Sequence, residues 1–266
     1  MPLIEIARSP LAPDSSPVRI HYRRRGRGFP LVFLHGGWGY GVYPFERQAP
    51  VFEPDFEVLI PDRTGYGQST HVARFARPLH RAGALETLAF LDALGIGRAV
   101  LWGHSDGAVI AANAALLAPR RVAAVVLEAL HYDRRKAGSR AFFEGMIEPS
   151  ALEPTLAARL REDHGEDYWW QVVRMEGEAW LDILTNPDDP ARDLYGGRLG
   201  ELTVPVLVMH GSEDPRTEPG ELDAVRRLLP QAVFHVLSGA KHSPHNERAF
   251  ADECARVVRS FLESVR

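Results

Sequence analysis

Gly103-His104-Ser105-Asp106-Gly107 sets a serine between two glycines. A short apolar run, Ala99 to Trp102, leads into it, and a small-residue helical pattern from Ala108 to Ala118 follows. That context predicts a sharp strand-to-helix turn with Ser105 at its tip. Such a turn strains the serine backbone, so small residues must flank it. It also presents the hydroxyl at the carboxyl edge of a sheet, beside the free N–H groups of a helix start. The chemistry this suits is nucleophilic attack on a carbonyl, with the helix N-terminus facing the developing oxyanion. Alone, G-x-S-x-G in a chain with 23 glycines is equally an ordinary βα turn. The rest of the chain must therefore supply a base, an acid and a second oxyanion donor.

His242 is the candidate base, because an imidazole changes charge near neutral pH. It lies in Ser238-Gly239-Ala240-Lys241-His242-Ser243-Pro244-His245, directly after a strand pattern, where a loop can bring it over Ser105. His245 competes by position and is expected to start the closing helix or to touch an inserted segment. Asp214, after the apolar run Val204 to Met209, is the candidate acid that holds the His242 tautomer. Glu128 is its rival, since it too ends a strand; Glu213 is a weaker alternative. His35-Gly36-Gly37-Trp38-Gly39 is the candidate oxyanion loop, because consecutive glycines let backbone N–H groups approach a substrate oxygen. The expected donors are the N–H of Asp106 and that of Gly37, with Trp38 close behind. His35 is expected to be structural, and Asp62 and Arg63 to brace the turn Gly65-Tyr66-Gly67.

Positioning these groups requires strands that alternate with helices. Strands are predicted at Val18–Tyr22, Leu31–Leu34, Phe56–Ile60, Ala99–Trp102, Val122–Leu127, Val204–Met209 and Val233–Leu237. Helices are predicted at Arg81–Gly95, with Leu85, Leu88, Leu91 and Leu94 on one face, at Pro219–Leu229 and at Ala249–Val265. This rhythm implies βαβ units, a mainly parallel sheet and a site at the carboxyl ends of its strands. From His131 to Leu202 the buried-strand signal stops. Pro154–Arg161 and Tyr168–Leu184 read as helices, the second with Trp169, Val173, Trp180 and Leu184 on one side. We read 131–202 as a helical cap inserted into a core of residues 1–130 and 203–266.

The bulk properties agree with an ordinary globular chain: 266 residues, 45% hydrophobic, 25% charged, net charge −4. That charge leaves no basic footprint for nucleic acid. Cys254, the single cysteine, excludes an intrachain disulfide and reads as core. No apolar run approaches about 18 residues and the start lacks a basic and apolar leader, so the expectation is a cytoplasmic protein with no membrane partner. Eleven histidines include none at H-E-x-x-H spacing, and no phosphate-binding glycine loop is present, so neither metal nor other cofactor is expected.

Taken together, His35-Gly36-Gly37, Asp62-x-x-Gly65-Tyr66-Gly67-x-Ser69, Gly103-His104-Ser105-Asp106-Gly107, the Asp214 loop and His242-x-x-His245-x-Glu247 resemble the α/β-hydrolase superfamily over nearly the whole chain. The order Ser, Asp, His is that family's order. The resemblance implies an α/β fold with an eight-stranded, mostly parallel sheet flanked by helices and bearing a helical cap. It also implies a serine hydrolase acting on small esters or related acyl compounds. Lys241 departs from the glycine that many relatives carry before the histidine. Relatives that open epoxides or displace halide carry Asp where this chain has Ser105. The reading is a cofactor-free carboxylesterase with Ser105, His242 and Asp214 as its triad. Its substrate is a small molecule bound near Trp38, Tyr43 and Trp180, under a pocket narrowed also by Tyr40, Trp169 and Trp170. Its rivals use the same triad as a carbon–carbon hydrolase, lactonase, amidase or acyltransferase, or keep the pocket as a non-catalytic ligand-binding site. Fold and triad do not encode the natural substrate, nor do they set the oligomeric state.

Overall fold

The computed structural model describes residues 2–15, 17–148, 152–186 and 192–265. Parts of the expected insertion, 149–151 and 187–191, lie outside the described residues. Eight strands are described: β1 (Leu3–Ile6), β2 (Val18–Gly26), β3 (Phe29–Leu34), β4 (Phe56–Pro61), β5 (Ala99–His104), β6 (Val122–Glu128), β7 (Val206–Gly211) and β8 (Val233–Leu237). They form one sheet in the order β1-β2-β4-β3-β5-β6-β7-β8. The pairs β1/β2 and β2/β4 are antiparallel, and every other pair is parallel.

The parallel strands are buried on both faces, which is why they read as unbroken apolar runs. Their side chains still alternate between two cores. Val32, Leu34 and Leu101 point to the face covered by α2 (Leu79–Ala93), α3 (Asp106–Leu117) and α7 (Glu221–Leu228). Leu31, Phe33, Val100 and Trp102 point to the face covered by α1 (Ala49–Phe52) and α8 (Ala251–Ser264). Cys254 is buried in that second core, as expected. Between β6 and β7 the chain runs through α4 (Arg140–Gly145), α5 (Pro154–His164) and α6 (Trp169–Thr185). These helices pack around Phe143, Met146, Leu160, Trp169, Val173 and Trp180. Val172, Met175 and Ala179 of α6 join the sheet's own core, so the insertion shares apolar burial with the body beneath it.

Some expectations needed correction. β1, α1 and α4 carry no sequence signal long enough to read, since each spans six residues or fewer. β7 starts at Val206 rather than Val204, because Pro205 has no N–H to donate to a ladder. In α2 the leucine stripe mostly faces the core: Leu91 is buried and Leu88 and Leu94 pack against the core, but Leu85 is exposed while Ala82 and Phe90 are buried. A strict three-residue spacing drifts around a helix of 3.6 residues per turn. Among the described residues, no helix is long and apolar enough to cross a membrane.

The register decides where the site forms. Leu34 pairs with Gly103, and His104 pairs with Glu128. The loops after β3, β5, β6, β7 and β8 therefore leave one edge of the sheet together. An aromatic cluster stiffens the layer below that edge: the Phe33 ring lies 4.5 Å from Phe45, 5.1 Å from Trp102 and 6.4 Å from Phe52. Phe33 is fully buried. Phe33→Ala is expected to cost about 3–5 kcal/mol of folding stability. Chemical denaturation followed by tryptophan fluorescence checks this, and a cost below about 1 kcal/mol would mean that the cluster collapses around the void.

Candidate active site

Ser105 adopts φ 55° and ψ −120°, a conformation non-glycine residues rarely enter. The neighbouring glycines make it possible. A Cβ on Gly103 would stand 2.0 Å from the Gly107 carbonyl oxygen, and one on Gly107 would stand 2.0 Å from that of Leu34. Only backbone hydrogens fit where α3 lands on β3 and β5. The Ser105 N–H donates to the Glu128 carbonyl at 2.9 Å, tying the turn to β6.

His242 and Asp214 reach Ser105 from the ends of β8 and β7. His242 Nε2 lies 3.0 Å from Ser105 Oγ, and its Nδ1 lies 2.9 Å from both carboxylate oxygens of Asp214. Burial alone would raise the Asp214 carboxyl. The hydrogen bond and charge of His242, then His210 and the Arg216 N–H, outweigh it and take the carboxyl down to about 2. The His242 loop is fastened from below, where His104 Nε2–H donates to the His242 carbonyl at 3.0 Å. Lys241 leaves this geometry intact; its backbone N–H donates to Glu247 at 3.0 Å.

Glu128 does something else. It is fully buried, accepts from Trp102 Nε1 at 2.9 Å, and accepts from the His245 N–H and Nδ1–H at 2.9 and 2.8 Å. Burial raises this carboxyl too, but the charge and hydrogen bonds of His245 bring it down to about 2. Glu128 thus holds the base of the loop that carries His242, and does not touch His242 itself. His245 neither starts α8 nor touches the insertion, contrary to expectation. Its ring is buried, stacks on Phe45 at 4.2 Å and donates Nε2–H to the Tyr43 carbonyl at 3.3 Å. Glu213 contributes only its backbone N–H, to the Ala240 carbonyl at 2.9 Å.

The glycine loop lies across the same opening. Gly37, Trp38, Ser105 and Asp106 line one cavity of about 590 Å³. Among the described residues, no protein acceptor takes the backbone N–H of Gly37, Trp38 or Asp106. His35 is structural, as expected: its Nδ1–H donates to the Gly36 carbonyl at 2.8 Å, and its Nε2 accepts the Arg63 N–H at 3.2 Å. Asp62 accepts the Gln68 N–H at 3.3 Å and so braces the Gly65–Gly67 turn. Arg63 braces the turn too: its carbonyl accepts the Tyr66 N–H at 2.9 Å and its guanidinium lies 4.7 Å from the Tyr66 ring, while it also donates to the carbonyls of His35 and Gly36 in the glycine loop. The signal was there in hindsight: a buried arginine needs acceptors, and a glycine loop offers free carbonyls.

Trp38, Tyr43 and Trp180 all line the cavity. Trp180 stacks on Phe143 at 4.8 Å and hydrogen-bonds Asp106. Tyr40, Trp169 and Trp170 do not line it. Tyr40 donates to Glu46 at 2.5 Å, Trp169 packs inside the insertion, and Trp170 is exposed. The apolar wall comes instead from Phe142, Phe143 and Met146, at and just after α4, a helix the sequence pattern did not mark.

Two further residues were not anticipated. His131, just after β6, places Nε2 at 3.2 Å from Ser105 Oγ, and its ring stacks on His242 at 5.6 Å. Burial, then the charge of Lys136, holds its pKa well below the ordinary value, so it is neutral. Glu176 of α6 is fully buried and lines the cavity, and neither carboxyl oxygen has a hydrogen-bond partner among the described residues. Burial pushes its pKa up to about 8, only partly opposed by Arg63. Among the described residues, no group of three or more His, Cys, Asp or Glu side chains is placed to hold a metal ion.

Glu176 leaves a thermodynamic signature. Its unfolded pKa is near 4.5 and its folded pKa about 8, so between those values the folded chain holds a proton that the unfolded chain has lost. Its contribution to stability is full below the lower value and falls as pH rises through the upper one, by up to about 1.4 kcal/mol per pH unit. Glu176→Gln removes this loss. Its melting temperature relative to the native protein is expected to climb from pH 5 to 8 and then level off. A difference that stays flat across this range in thermal unfolding would show Glu176 ionised in the folded state.

The geometry agrees with known proteins. The sequence model of the alpha/beta hydrolase family matches residues 31–257. Mouse serine hydrolase BPHL is 26% identical over 250 residues, covering 92% of this chain and 84% of that protein. The 2-hydroxy-6-oxo-6-phenylhexa-2,4-dienoate hydrolase of Burkholderia cepacia is 30% identical over 274 residues, covering 93% and 92%. The structure of a thermophilic esterase from Thermogutta terrifontis superposes with a TM-score of 0.72 at 22% identity, over 100% of this chain and 99% of that one. A chain with this sheet order, this strained serine turn and these matches belongs to the alpha/beta hydrolase family.

Proposed function

We propose that the protein is a serine hydrolase, most simply a carboxylesterase, working through a Ser105–His242–Asp214 triad and an acyl-enzyme. The observation that carries this reading is the unbroken relay at 2.9 and 3.0 Å from Asp214 through His242 to Ser105, opening onto a largely apolar cavity. Ser105 Oγ attacks the acyl carbon while His242 Nε2 takes its proton. Asp214 accepts the Nδ1–H and stabilises the imidazolium that forms. The N–H of Asp106 and that of Gly37 or Trp38 hold the oxyanion. The intermediate collapses as His242 returns the proton to the leaving alkoxide, and water then attacks the acyl-enzyme with His242 as base.

Two histidines flank the one hydroxyl proton of Ser105, and electrostatics assigns it. His242 faces a carboxylate that stabilises its cation, whereas His131 is buried next to the positive charge of Lys136. His131 therefore acts as a neutral partner whose Nε2–H is donated to Ser105 Oγ. Helices α4 to α6 act as a cap that narrows the cavity, which favours short acyl groups over a lipase-like groove. The small-molecule substrate enters unaided by a cofactor. The Burkholderia cepacia relative is named a hydrolase of 2-hydroxy-6-oxo-6-phenylhexa-2,4-dienoate, a substrate with no ester in its name, and the same triad acting on a carbon–carbon bond is the second reading.

Labelling by a fluorophosphonate probe, lost in Ser105→Ala, tests the nucleophile. Hydrolysis of p-nitrophenyl esters of graded length should peak at short chains, and Ser105→Ala should lose about 10⁶-fold in kcat. A rate that climbs with long emulsified esters overturns the capped esterase.

The two acids separate in a paired assay. Asp214→Asn should cost about 10⁴-fold in kcat with little change in stability. Glu128→Gln should instead lose roughly 3–5 kcal/mol of stability, because it leaves His245 unpaired in the core, and should cost far less in turnover. The reverse ranking would transfer the catalytic role to Glu128.

A further inference from the structure

We propose that Glu176 is a specificity-determining residue that selects acyl groups bearing a hydroxyl one or two carbons from the scissile carbonyl. The inference rests on the reading of Ser105 as the nucleophile and names the acyl class that this site takes.

Position comes first. Glu176 projects from α6 into the cavity that Ser105 opens onto. A Cβ on Gly37 would stand 3.3 Å from both Cδ and Oε2 of Glu176, so the carboxyl lies against the oxyanion loop. A carbonyl oxygen seated on the Gly37 N–H lies about 3 Å from that nitrogen. A substituent that reaches Glu176 from there belongs on the carbon next to the carbonyl or on the one after it.

Its neighbours are already engaged. Arg63, the nearest cation, gives Nη1 and Nη2 to the carbonyls of His35 and Gly36. Asp106 Oδ1 takes His80 Nε2–H at 2.7 Å. Ser105 faces His242 and His131. The cavity that Glu176 lines has Trp38, Phe142, Phe143, Met146 and Trp180 as its apolar wall. A buried carboxyl with no partner costs stability, and such a group in an apolar pocket is the kind that fixes ligand orientation.

Protonation then chooses the ligand. Burial keeps the proton on Glu176 up to about pH 8, so it presents one O–H donor and one acceptor oxygen. A hydroxyl is also one donor and one acceptor, and can meet both. An ammonium offers donors only and requires the carboxyl to ionise; a carboxylate or ketone leaves its acceptor oxygen unmatched.

The experiment compares kcat/KM for the phenyl esters of lactic and propionic acids, and of 3-hydroxybutyric and butyric acids. The native protein should prefer a hydroxylated member by about tenfold or more. Glu176→Gln, neutral and still donor plus acceptor, should keep that preference; Glu176→Leu should bring the ratio to within about twofold of unity. Each ratio cancels the titration of His242, which acts on both esters alike. The charged groups facing Glu176 are Arg63 and Asp106, the latter with His80; Arg216 and Lys241 line the same cavity. In the native protein the preference should persist as pH passes about 8, because an ionised Glu176 still accepts from the hydroxyl, and in Glu176→Gln it should persist as well. In parallel, N-phenyl lactamide should bind the Ser105→Ala protein about tenfold more tightly than N-phenyl propionamide. No preference in the native protein, or a preference that survives in Glu176→Leu, would overturn the proposal. So would a stronger preference for the phenyl ester of alanine, lost in Glu176→Gln, which would make the ligand a cation. If neither ester is turned over but the amides are discriminated, the hydrolase reading fails and the role of Glu176 stands.

Discussion

One backbone conformation organises this protein. Ser105 at φ 55° and ψ −120° is strained by about 1–3 kcal/mol relative to ordinary backbone. The strain persists because the surroundings allow no other path. β5 must end at His104 to keep register with Glu128, and α3 must begin at Asp106 to pack on β3. Gly103 and Gly107 pass within van der Waals contact of neighbouring carbonyls, so neither can bear a side chain. The central strands β3, β5 and β6 thus act as a jig. What they hold is a hydroxyl at the sheet edge, with the free N–H of Asp106 next to it.

Of the carboxylate–histidine pairs at that edge, burial separates the uses of two. Glu128 and His245 are both fully buried, each with further partners, so their side chains are fixed in place. Breaking such a pair costs more than making it gains. It behaves as a rivet for the chain on both sides of His242. Asp214 is equally buried, but His242 remains 17% exposed, with Nε2 turned to Ser105 and the cavity. A histidine in that position can gain and lose a proton without unpacking a core. The His104 bond to the His242 carbonyl ties the second loop to the first, so the strand that leads to Ser105 also aims His242.

The insertion places a different kind of constraint on the site. α6 buries Val172, Met175 and Ala179 in the sheet's core while turning Trp180 and Glu176 toward the cavity. One helix therefore both anchors the covering layer and lines the pocket. A residue on it cannot swing away without unpacking the body beneath. That is how an unpartnered buried carboxyl is kept against the oxyanion loop, where it would otherwise relax toward solvent.

Much of this was legible in the chain alone. G-x-S-x-G between an apolar run and a helix pattern marks Ser105, because only a tight turn needs those small residues there. Ser, Asp and His after β5, β7 and β8 place Ser105, Asp214 and His242 on one edge, because parallel strands send all their carboxyl ends the same way. The consecutive glycines at 36 and 37 mark the loop that approaches them. Other features depended on tertiary contacts that no local pattern encodes. Glu128 and Asp214 both end strands, and only the packing of Trp102 and His245 around one of them tells them apart. Arg63 sits beside a glycine turn in sequence but bonds a loop 27 and 28 residues away. The leucine spacing of α2 caught Leu88, Leu91 and Leu94 but misplaced Leu85, because which edge of a stripe is buried depends on what lies beneath it. His131 and Glu176 had no motif at all. A buried histidine and a buried glutamate in a helix look, as letters, like surface residues, and only the way α6 and the end of β6 converge over Ser105 makes them part of the site.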